Sequence, residues 1–410
     1  MILFKHDSIT DAMILEKIKQ RNFDCMKKLI IYFKEISARI DSAMTLQVLN
    51  DYGHLSNFNN KVIVPIYAKT SHEIDQIHDF LVEKKFNNLH LIVLPKSHKI
   101  IRSLFLIAYV LSFLSQKELM QKVIVVREKK YLWLAKFIKR IFYALLLVEF
   151  HETSLPEKET KKLHTKHQRL LVNIDGALFT NPSQVDYFCE YKYELPKNQL
   201  ILPNGLSFKN YSNVKGASFK SRPVILTYTG QFTPWKNVPL IFEALQHLPS
   251  YFHLRIAGGK ENSEISNLYV NKLIAQYSLA GRVRYLGFVH PSQLAKKVMN
   301  GSAILLLPLG DSNIAQYATS PMKLVEYMAT PIPIVSVNAP SILGLSGASS
   351  IFMSRLHAKD FAEIILKVYN LKGELLKKRV LKQNQIAKQY DFDVRAKKYN
   401  AWLEKLFFDI

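Results

Sequence analysis

The chain is poor in cysteine and in acidic residues. Its 410 residues include two cysteines, Cys25 and Cys189. These are too few for a disulfide framework or a four-ligand zinc site, and they fit a reducing compartment. Aspartate and glutamate number 33 against 56 lysines and arginines, which gives a net charge of +23. This excess favours a polyanionic partner: nucleic acid, an anionic membrane surface or a phosphorylated substrate.

Long hydrophobic runs are also missing. Asp7, Asp11 and Glu16 interrupt residues 1–27, so no secretory signal is predicted there. The longest nearly apolar run, residues 100–114, is shorter than the roughly 20 residues that cross a bilayer. We therefore expect a soluble, cytoplasmic protein that can lie on a membrane surface.

The composition is that of a folded protein, and its length suits two domains. Hydrophobic residues make up 48% and charged residues 22%, which excludes a disordered or fibrous chain. Short apolar runs bounded by turn residues alternate with amphipathic stretches; they lie at 28–33, 61–66, 89–94, 123–127, 144–151, 176–180, 199–203, 223–230, 253–258, 283–287, 303–308 and 333–337. Continuous apolar strands alternating with helices predict an α/β protein with doubly wound parallel sheets. A polar segment at 206–222 marks the boundary between its two halves.

The first candidate site follows the strand predicted at 223–230. Ligands of open parallel sheets bind beyond the carboxyl ends of the strands. Gly230 permits close backbone approach, Gln231 opens the loop, and Lys236 precedes a helix that is predicted to open near Asn237. Helix amides together with a lysine can hold a diphosphate. The alternative is a plain turn with an exposed lysine.

A second candidate element is the segment at 320–329. Ser320 is predicted as the N-cap of a helix and Pro321 as its first residue. Glu326 in the second turn can accept hydrogen bonds from two ribose hydroxyls, while free amides face a phosphate. The alternative is that Glu326 only pairs with Lys323 on a solvated face. Gly258 and Gly287 follow strands and can line the same crevice.

A titratable pair ends the strand predicted at 144–151. The two-residue period of a strand puts Glu149 and His151 on one face at its carboxyl end. The pair therefore faces the predicted crevice and is a candidate catalytic pair. The alternative is a histidine with only a structural hydrogen bond.

Positive charge is concentrated between residues 96 and 142. This stretch holds 11 lysines and arginines and 2 acidic residues, a net +9. A helix at 129–143 is predicted to bury one stripe, made of Leu134, Phe137, Ile138 and Ile141. Its opposite face carries cations and aromatic residues, namely Lys136, Lys139, Arg140, Trp133 and Tyr143. Such a face suits an anionic bilayer, the alternative being a solvated basic surface. Nucleic acid is not expected, because no helix-turn-helix, zinc finger or RNP-like segment is present.

Seven segments in order resemble the family-4 (group 1) glycosyltransferases of the GT-B fold. They are VEFHE (148–152), DGALFTN (175–181), ILPNG (201–205), TGQFTPWK (229–236), YLGFV (285–289), SPMKLVEYMA (320–329) and DFDVRA (391–396). The resemblance implies two Rossmann-like domains facing a central cleft. It places an extension at 1–27, an acceptor-side domain at 28–215, a nucleotide-sugar domain at 216–392 and a last helix at 393–410 that crosses back onto the first domain.

The resemblance also implies an activity. A retaining glycosyltransferase would move a sugar, of the hexosyl class, from a nucleotide diphosphate sugar to a membrane-linked or surface-polysaccharide acceptor. It would need no metal and no cofactor, and it would lie peripherally on the inner face of the cytoplasmic membrane. The resemblance assigns Glu326 to the ribose, His151 to the reacting sugar, and Gly287 and Phe288 to the surroundings of the donor base.

Several positions depart from the family pattern. Ala318 stands where the family often has a first glutamate, Gln231 where an arginine is common, and Pro331 where a glycine commonly ends the helix. The loop at 34–42 has no paired glycines. Two other functions therefore remain open: a non-catalytic partner protein of a polysaccharide assembly complex, and a GT-B sugar-nucleotide epimerase, for which no carboxylate dyad is identified.

Overall fold

A computed structural model describes residues 28–40, 42–116, 120–127, 129–151, 160–261, 263–371 and 373–408. The predicted extension at 1–27 lies outside the described residues. The chain divides into two compact units. The first holds the described residues up to Ala38 and those from Leu55 to Leu147, and the second holds Arg39–His54 and the described residues from Val148 onward. The predicted domain limits stay predictions.

The first unit is built on a parallel sheet. Its strands are β1 (Lys28–Tyr32), β2 (Ile36–Ser37), β3 (Lys61–Tyr67), β4 (Leu89–Leu94), β5 (Gln121–Val126) and the start of β6 (Leu145–Phe150). Strand β3 pairs with β1, β2 and β4, and β1 pairs with β5, all in parallel. The five residues of β1 are all buried, as expected for a strand covered on both faces.

Helices connect these strands. They are α1 (Ala43–Ser56), α2 (Ser71–Lys84), α3 (Lys99–Leu114) and α4 (Leu132–Phe142), the last preceded by a 3₁₀ turn at Lys129–Tyr131. Parallel strands joined by helices form a Rossmann-like layer structure, because a parallel pair needs a crossover connection.

The second unit contains a six-stranded parallel sheet. Before it, β7 (Gly176–Phe179) pairs in parallel with β8 (Gln199–Ile201). The sheet consists of β9 (Val224–Thr229), β10 (Phe252–Ala257), β11 (Val283–Tyr285), β12 (Ile304–Leu307), β13 (Ile334–Val337) and β14 (Phe352–Ser354). Their order is β11-β10-β9-β12-β13-β14. Every strand that the sequence predicts coincides with an observed one, and the short strands β2 and β14 were not predicted.

The helices of the second unit complete the doubly wound pattern. They are α5 (Lys161–Leu171), α6 (Pro182–Glu190), α7 (Pro239–Gln246), α8 (Glu264–Gln276), α9 (Pro291–Leu294), α10 (Met322–Met328), α11 (Pro340–Leu343), α12 (Ala358–Tyr369), α13 (Gly373–Ala387) and α14 (Phe392–Phe408). The α/β fold class predicted from the sequence is confirmed.

The topology fixes where a ligand site belongs in the second unit. Strand β9 lies between β10 and β12. From β9 the chain passes to β10 and β11 toward one edge of the sheet. It then crosses back to β12 and continues to β13 and β14 toward the other edge. Ligands of open α/β sheets bind beyond the carboxyl ends of strands at such a switch point. Gly230 is the first residue after β9, so the predicted donor loop stands at this point.

Helix α14 is joined to earlier parts of the second unit by a buried arginine. Arg395 forms an ion pair with Asp51 of α1, and its Nε donates to the Pro203 carbonyl at 2.8 Å. A Cβ on Gly205 would lie 2.7 Å from the Phe392 ring. The turn at 201–205 therefore packs directly on the start of α14, which explains why that turn ends in glycine.

Candidate functional site

Three glycines meet at the carboxyl ends of β9, β10 and β11. Gly230 donates its N–H to the Ala257 carbonyl, and Gly258 donates to the Gly287 carbonyl, both at 2.8 Å. Their φ angles are +130°, +147° and +70° for Gly230, Gly258 and Gly287. A Cβ on Gly258 would overlap the Gly230 carbonyl, while a Cβ on Gly287 would meet nothing within 4 Å. Close backbone packing thus requires glycine at Gly258, whereas Gly287 borders open space. Phe288, the residue after it, is half-buried.

The loop after β9 differs from its prediction in one respect. Residues Pro234–Lys236 form a 3₁₀ turn, and Asn237 has a left-handed conformation with φ +45°. Helix α7 begins at Pro239, two residues after Asn237, because a left-handed residue interrupts the helical path and proline suits a first helical position. Lys236 Nζ lies 4.8 Å from the centre of the Trp235 ring.

The same loop contains a polar atom that sequence analysis did not single out. The hydroxyl oxygen of Thr233 is buried and has no hydrogen-bond partner among the described residues. A buried polar group without a partner is costly and needs an explanation, such as a ligand or ordered water. Thr233 lies between Gly230 and Lys236 in the chain. Its hydroxyl therefore belongs to the same loop that is predicted to bind an anion.

Helix α10 starts differently from the prediction. Pro321 occupies the N-cap position without a side-chain cap, and the helix runs from Met322. Ser320 is therefore not the N-cap and Pro321 is not the first helical residue, so both predictions are wrong by one position. The Ser320 hydroxyl instead accepts the Asn204 N–H at 3.0 Å, and Asn204 Nδ2 donates to the Ser320 carbonyl at 2.7 Å. The physical reason is competition: the turn at 201–205 offers Ser320 a partner outside the helix, and the hydroxyl takes it.

Glu326 is half-buried in α10 and has a specific partner. The hydroxyl of Tyr211, a buried side chain between β8 and β9, donates to its carboxylate. Burial raises the pKa of Glu326, while the Tyr211 hydrogen bond and the charge of Lys323 act to lower it. Burial beside Glu326 likewise raises the pKa of the Tyr211 hydroxyl well above its usual value. Glu326 thus does not lie on a solvated face.

Lys323 lies one turn before Glu326 and points back at the end of β9. Its Nζ donates to the Tyr228 hydroxyl at 3.2 Å and lies 4.7 Å from the centre of that ring. A Cβ on Gly230 would overlap the Lys323 side chain. The absence of a side chain at Gly230 is therefore what lets this cation approach the loop.

Tyr327 connects the same helix to the strand. Its hydroxyl accepts the Thr229 N–H at 2.9 Å and lies 3.1 Å from Thr229 Oγ1. Burial raises the pKa of Tyr327, so the phenol stays neutral.

These contacts bring together Gly230 with Lys323 and Glu326 of α10, and Ser320 and Pro321 lie just before that helix. Sequence analysis missed Tyr211 and Tyr327: Tyr211 stands in a segment that resembles a linker, and an apolar helix gave no reason to single out Tyr327.

The predicted catalytic pair is in direct contact. His151 Nε2 lies 2.7 Å from Glu149 Oε1, with both side chains largely buried. Tyr52 of α1 places its hydroxyl 3.4 Å from Glu149 Oε2. A carboxylate on one imidazole nitrogen fixes the tautomer and leaves the other nitrogen for a further partner. The strand-end geometry predicted for Glu149 and His151 is found, and the catalytic role stays a prediction.

The stripe predicted to be buried on α4 is partly wrong. Ile138 is buried and Leu134 is half-buried, but Phe137 is 60% and Ile141 51% exposed. The buried residues of α4 are Leu132, Ala135 and Ile138. The core stripe is narrower and rotated, because small Ala135 rather than Phe137 faces the sheet.

On the predicted basic face of α4, Trp133 is 70% exposed, Arg140 is exposed, and Lys136 and Lys139 are half-buried. Burial, followed by the nearby charge of Lys139, lowers the pKa of Lys136.

Two further observations bear on possible partners of the chain. Among the described residues, no three His, Cys, Asp or Glu side chains group together as a metal site would require. None of the helices in the described ranges combines the length and the hydropathy needed to cross a bilayer.

Comparison with known proteins gives the fold and a family match. Residues 223–370 match the family model for glycosyl transferases group 1. A comparison with curated protein sequences found no match. The structure is similar to that of Anabaena Alr3699/HepE in complex with UDP and glucose, with a TM-score of 0.68 and 14% identity, covering 92% of this chain and 100% of that one. It is also similar to sucrose-phosphate synthase from Thermosynechococcus elongatus, with a TM-score of 0.70, 13% identity and coverage of 94% and 100%.

A third similar structure is the lipopolysaccharide outer core galactosyltransferase WaaB, with a TM-score of 0.60, 12% identity and coverage of 94% and 100%. At these identities the similarity shows a shared fold. The matched segment contains the loop after β9 and the whole of α10, which carry most of the residues predicted to bind the donor. The chain thus has the GT-B fold of two parallel-sheet Rossmann-like domains, and its residues 223–370 match the family model for glycosyl transferases group 1.

Proposed function

We propose that this protein is a retaining glycosyltransferase that moves a sugar from a nucleoside diphosphate sugar to a membrane-linked or surface-polysaccharide acceptor. The observation that carries the proposal is the meeting of Gly230, Lys323 and Glu326 where β9 ends and α10 begins. These groups supply close backbone approach, a cation and a carboxylate at a sheet switch point. Similar structures have been determined with UDP and with UDP-glucose.

The loop after β9 is the proposed diphosphate site. Gly230 permits a phosphate to approach the backbone, and Lys236 and Lys323 contribute positive charge. Thr233 brings a buried hydroxyl that has no partner among the described residues. Bond cleavage places negative charge on the departing diphosphate, and positive groups fixed before the reaction stabilise that charge. The proposed reaction needs no metal ion for this step.

Glu326 is the proposed ribose ligand. A carboxylate can accept hydrogen bonds from two adjacent hydroxyls, and Tyr211 already holds one edge of the group in place. Burial raises the pKa of Glu326, while the Tyr211 hydrogen bond and the charge of Lys323 favour the carboxylate form that the ribose contact needs. Gly287 and Phe288 border the open space proposed for the nucleobase.

His151 is the proposed contact to the reacting sugar, with Glu149 as its positioning partner. The 2.7 Å contact orients the ring, and Tyr52 holds the second carboxylate oxygen. Glu149 is buried by these partners, so it is suited to orient His151 rather than to touch substrate itself. A hexosyl donor and retention at the anomeric carbon are part of the proposal.

The acceptor side of the proposal rests on charge. The chain carries a net +23, with +9 between residues 96 and 142. A membrane-linked, anionic acceptor and a peripheral position on a cytoplasmic membrane fit this charge. One of the similar structures is a lipopolysaccharide galactosyltransferase, which supports an envelope glycan as the acceptor.

A thermal-shift experiment tests the donor part of the proposal. UDP and UDP-glucose are added with and without a chelator, and binding to the folded state raises the free energy of unfolding by about 2.7 kcal/mol at a hundredfold excess over Kd. The expected result is a shift that the chelator does not remove. The absence of a shift with any nucleoside diphosphate or nucleotide sugar would contradict the proposal.

A non-catalytic role is the second candidate, and Ala318 favours it. This residue is fully buried where the resembled family often has a glutamate. Its carbonyl accepts a hydrogen bond from Gln184 at 3.1 Å, so the backbone here is part of the packed structure. Nucleotide binding without hydrolysis or transfer of the sugar would favour this candidate. Conversion of the nucleotide sugar without an acceptor would instead favour an epimerase.

A further inference from the structure

The first unit exposes an apolar helix face that its core leaves uncovered. On α3, one side carries large apolar residues at Ile100, Ile101, Leu104, Phe105 and Tyr109. Ile100 is 66% and Leu104 61% exposed, while Leu106, Val110 and Leu114 on the other side are buried. A soluble helix normally presents polar residues to water. This face, called the α3 face below, has the composition of a second buried side.

Helix α4 continues this surface. It exposes Trp133, as predicted, and also Phe137 and Ile141, which were predicted to be buried. Ser103 of α3 and Tyr131, at the start of α4, are 3.2 Å apart through their hydroxyls. The connections β4-α3-β5 and β5-α4-β6 both run in one direction along the sheet. Because such connections are right-handed, the two helices lie on the same face of the sheet.

Cations lie on and beside the two helices that carry the apolar surface. Lys99 is the first residue of α3, Lys96 lies three residues before it, and Lys136, Lys139 and Arg140 lie on α4. The 96–142 stretch contains two acidic residues, Glu118 and Glu128, and both lie outside the described residues. Arg102 is bonded to Glu35 at 3.2 Å, so one cation of α3 is neutralised inside the unit.

We infer that α3 and α4 form the surface by which the protein docks on an anionic lipid bilayer, with the α3 face buried in the headgroup region. An anionic bilayer surface binds such a combination of groups. Apolar side chains enter the interface, tryptophan and tyrosine lie at the headgroup level, and cations are attracted to the anionic lipids. A second copy would bring two strongly positive surfaces together, which costs free energy. The inference rests on the membrane part of the proposed function and names its contact surface; the donor chemistry is separate from it.

The docking surface makes a distinct prediction about which residues bind. If cations alone attracted the protein, the α3 face would not matter. If the bilayer buries the face, polar substitutions there weaken binding even though every charge is kept. The substitutions are at exposed positions, so they leave the core of the first unit intact.

The test is vesicle co-sedimentation of the full chain and two double variants. Leu104→Gln with Phe105→Gln alters the α3 face. Ile265→Gln with Leu268→Gln on α8 is the matched control, since those residues are 80% and 61% exposed in the second unit. Vesicles are phosphatidylcholine alone or with one-third phosphatidylglycerol (roughly the anionic fraction of a charged leaflet).

We expect the wild type and the α8 control to bind the anionic vesicles and the α3 variant to bind at least tenfold more weakly. Ile100→Gln alone should show a smaller loss in the same direction, which guards against a folding defect in the double variant. All variants should keep the thermal shift with UDP. If the wild type shows no thermal shift with UDP, the proposed donor function is contradicted, and the inference about the docking surface is unaffected.

Three outcomes would overturn the inference. The first is an α3 variant that binds anionic vesicles as tightly as the wild type. The second is wild-type binding that is equal on neutral and anionic vesicles. The third is a wild-type dimer, seen by light scattering, that the α3 variant converts to a monomer, which would make a second copy the occupant of the face.

Discussion

The Tyr211 hydroxyl donates a hydrogen bond to the carboxylate of Glu326. Tyr211 stands between β8 and β9, and Glu326 lies in the second turn of α10, so two distant segments meet at one carboxyl group. Burial raises the pKa of this carboxyl, and the hydrogen bond partly opposes the effect. A carboxyl group that lies buried although burial disfavours its charged form is typical of a functional position.

Tyr211→Phe should make nucleotide binding more sensitive to acid. The variant removes a hydrogen bond to the charged form of Glu326 and keeps the aromatic packing, so the pKa of Glu326 rises further. Protonation abolishes the proposed ribose contact, and binding is then lost at a higher pH than in the wild type. The affinity for UDP should fall about tenfold at mildly acidic pH, since a hydrogen bond to a charged group contributes roughly 1.5–3 kcal/mol. Calorimetry across a pH series measures this.

Tyr369→Phe is the matched control for that experiment. Its hydroxyl accepts from Arg222 at 2.6 Å, away from α10, so its pH profile should equal that of the wild type. If Tyr211→Phe also gives the wild-type profile, Tyr211 does not support Glu326 in binding.

Glu326→Gln should stabilise the protein without ligand at neutral pH. The folded-state pKa of Glu326 is raised above its ordinary 4.5, so the folded protein binds the proton more strongly than the unfolded chain. The free energy of unfolding of the wild type therefore falls as the pH rises from 4.5 through the raised pKa. The neutral amide removes this loss. Thermal unfolding should show a higher Tm for the variant at pH 7 and equal Tm values in acid; a difference that does not change with pH would contradict the assignment.

Lys236→Ala and Glu326→Ala should each weaken binding of a nucleoside diphosphate, without a metal requirement. Each change removes a charge-assisted hydrogen bond in the proposed complex, worth roughly 1.5–3 kcal/mol, or about tenfold to a hundredfold in Kd. Calorimetry with UDP in the presence of a chelator measures the loss. Lys272→Ala on α8 is the control cation. Unchanged affinity in both variants would remove the site assignment.

The sequence predicted the strands well because parallel strands are nearly continuous apolar runs. The run at 223–230, for example, corresponds to β9, Val224–Thr229. It also predicted that Glu149 and His151 lie on one face of the strand end, since the two-residue period of a strand is a strong geometric constraint; the 2.7 Å contact between them was not predicted. Helix ends were less predictable. Ser320 has the ideal identity for an N-cap, but its hydroxyl binds Asn204, a residue far away in the chain.

Two other features depend on tertiary packing that no local pattern encodes. Phe137 and Ile141 have helical spacing with Ile138, yet Ala135 takes the place against the sheet and both remain exposed. Tyr211 is surrounded by polar residues that indicate a linker, and its partner Glu326 is identified only when the chain is folded. In both cases the neighbouring element, and not the local sequence, determines which side chain is buried or hydrogen-bonded.

His151→Ala should lower turnover much more than nucleotide binding. His151 is the proposed contact to the reacting sugar, and an interaction made mainly in the transition state affects kcat while Kd for UDP stays nearly constant. Glu149→Gln should give a smaller loss, because it weakens the orientation of the ring but leaves the imidazole. Sugar transfer or donor hydrolysis gives kcat, and calorimetry gives Kd. A fully active His151→Ala would make this histidine structural.

Charge reversal on α4 should weaken membrane binding in a way that salt reproduces. Lys136, Lys139 and Arg140 lie on the helix whose exposed side carries Trp133. Each cation near an anionic bilayer contributes about 1 kcal/mol, so changing all three to glutamate should cost several kcal/mol.

Added salt should have the same effect on the wild type, because surface charges are screened over about 8 Å at physiological ionic strength. Co-sedimentation with anionic and neutral vesicles measures both effects, and reversal of Lys377, Lys378 and Lys382 on α13 to glutamate is the control of equal charge. If the α4 and α13 variants lose binding equally, the net charge of the chain and not this helix attracts the membrane. If neither variant loses binding, the basic face of α4 is only a solvated surface.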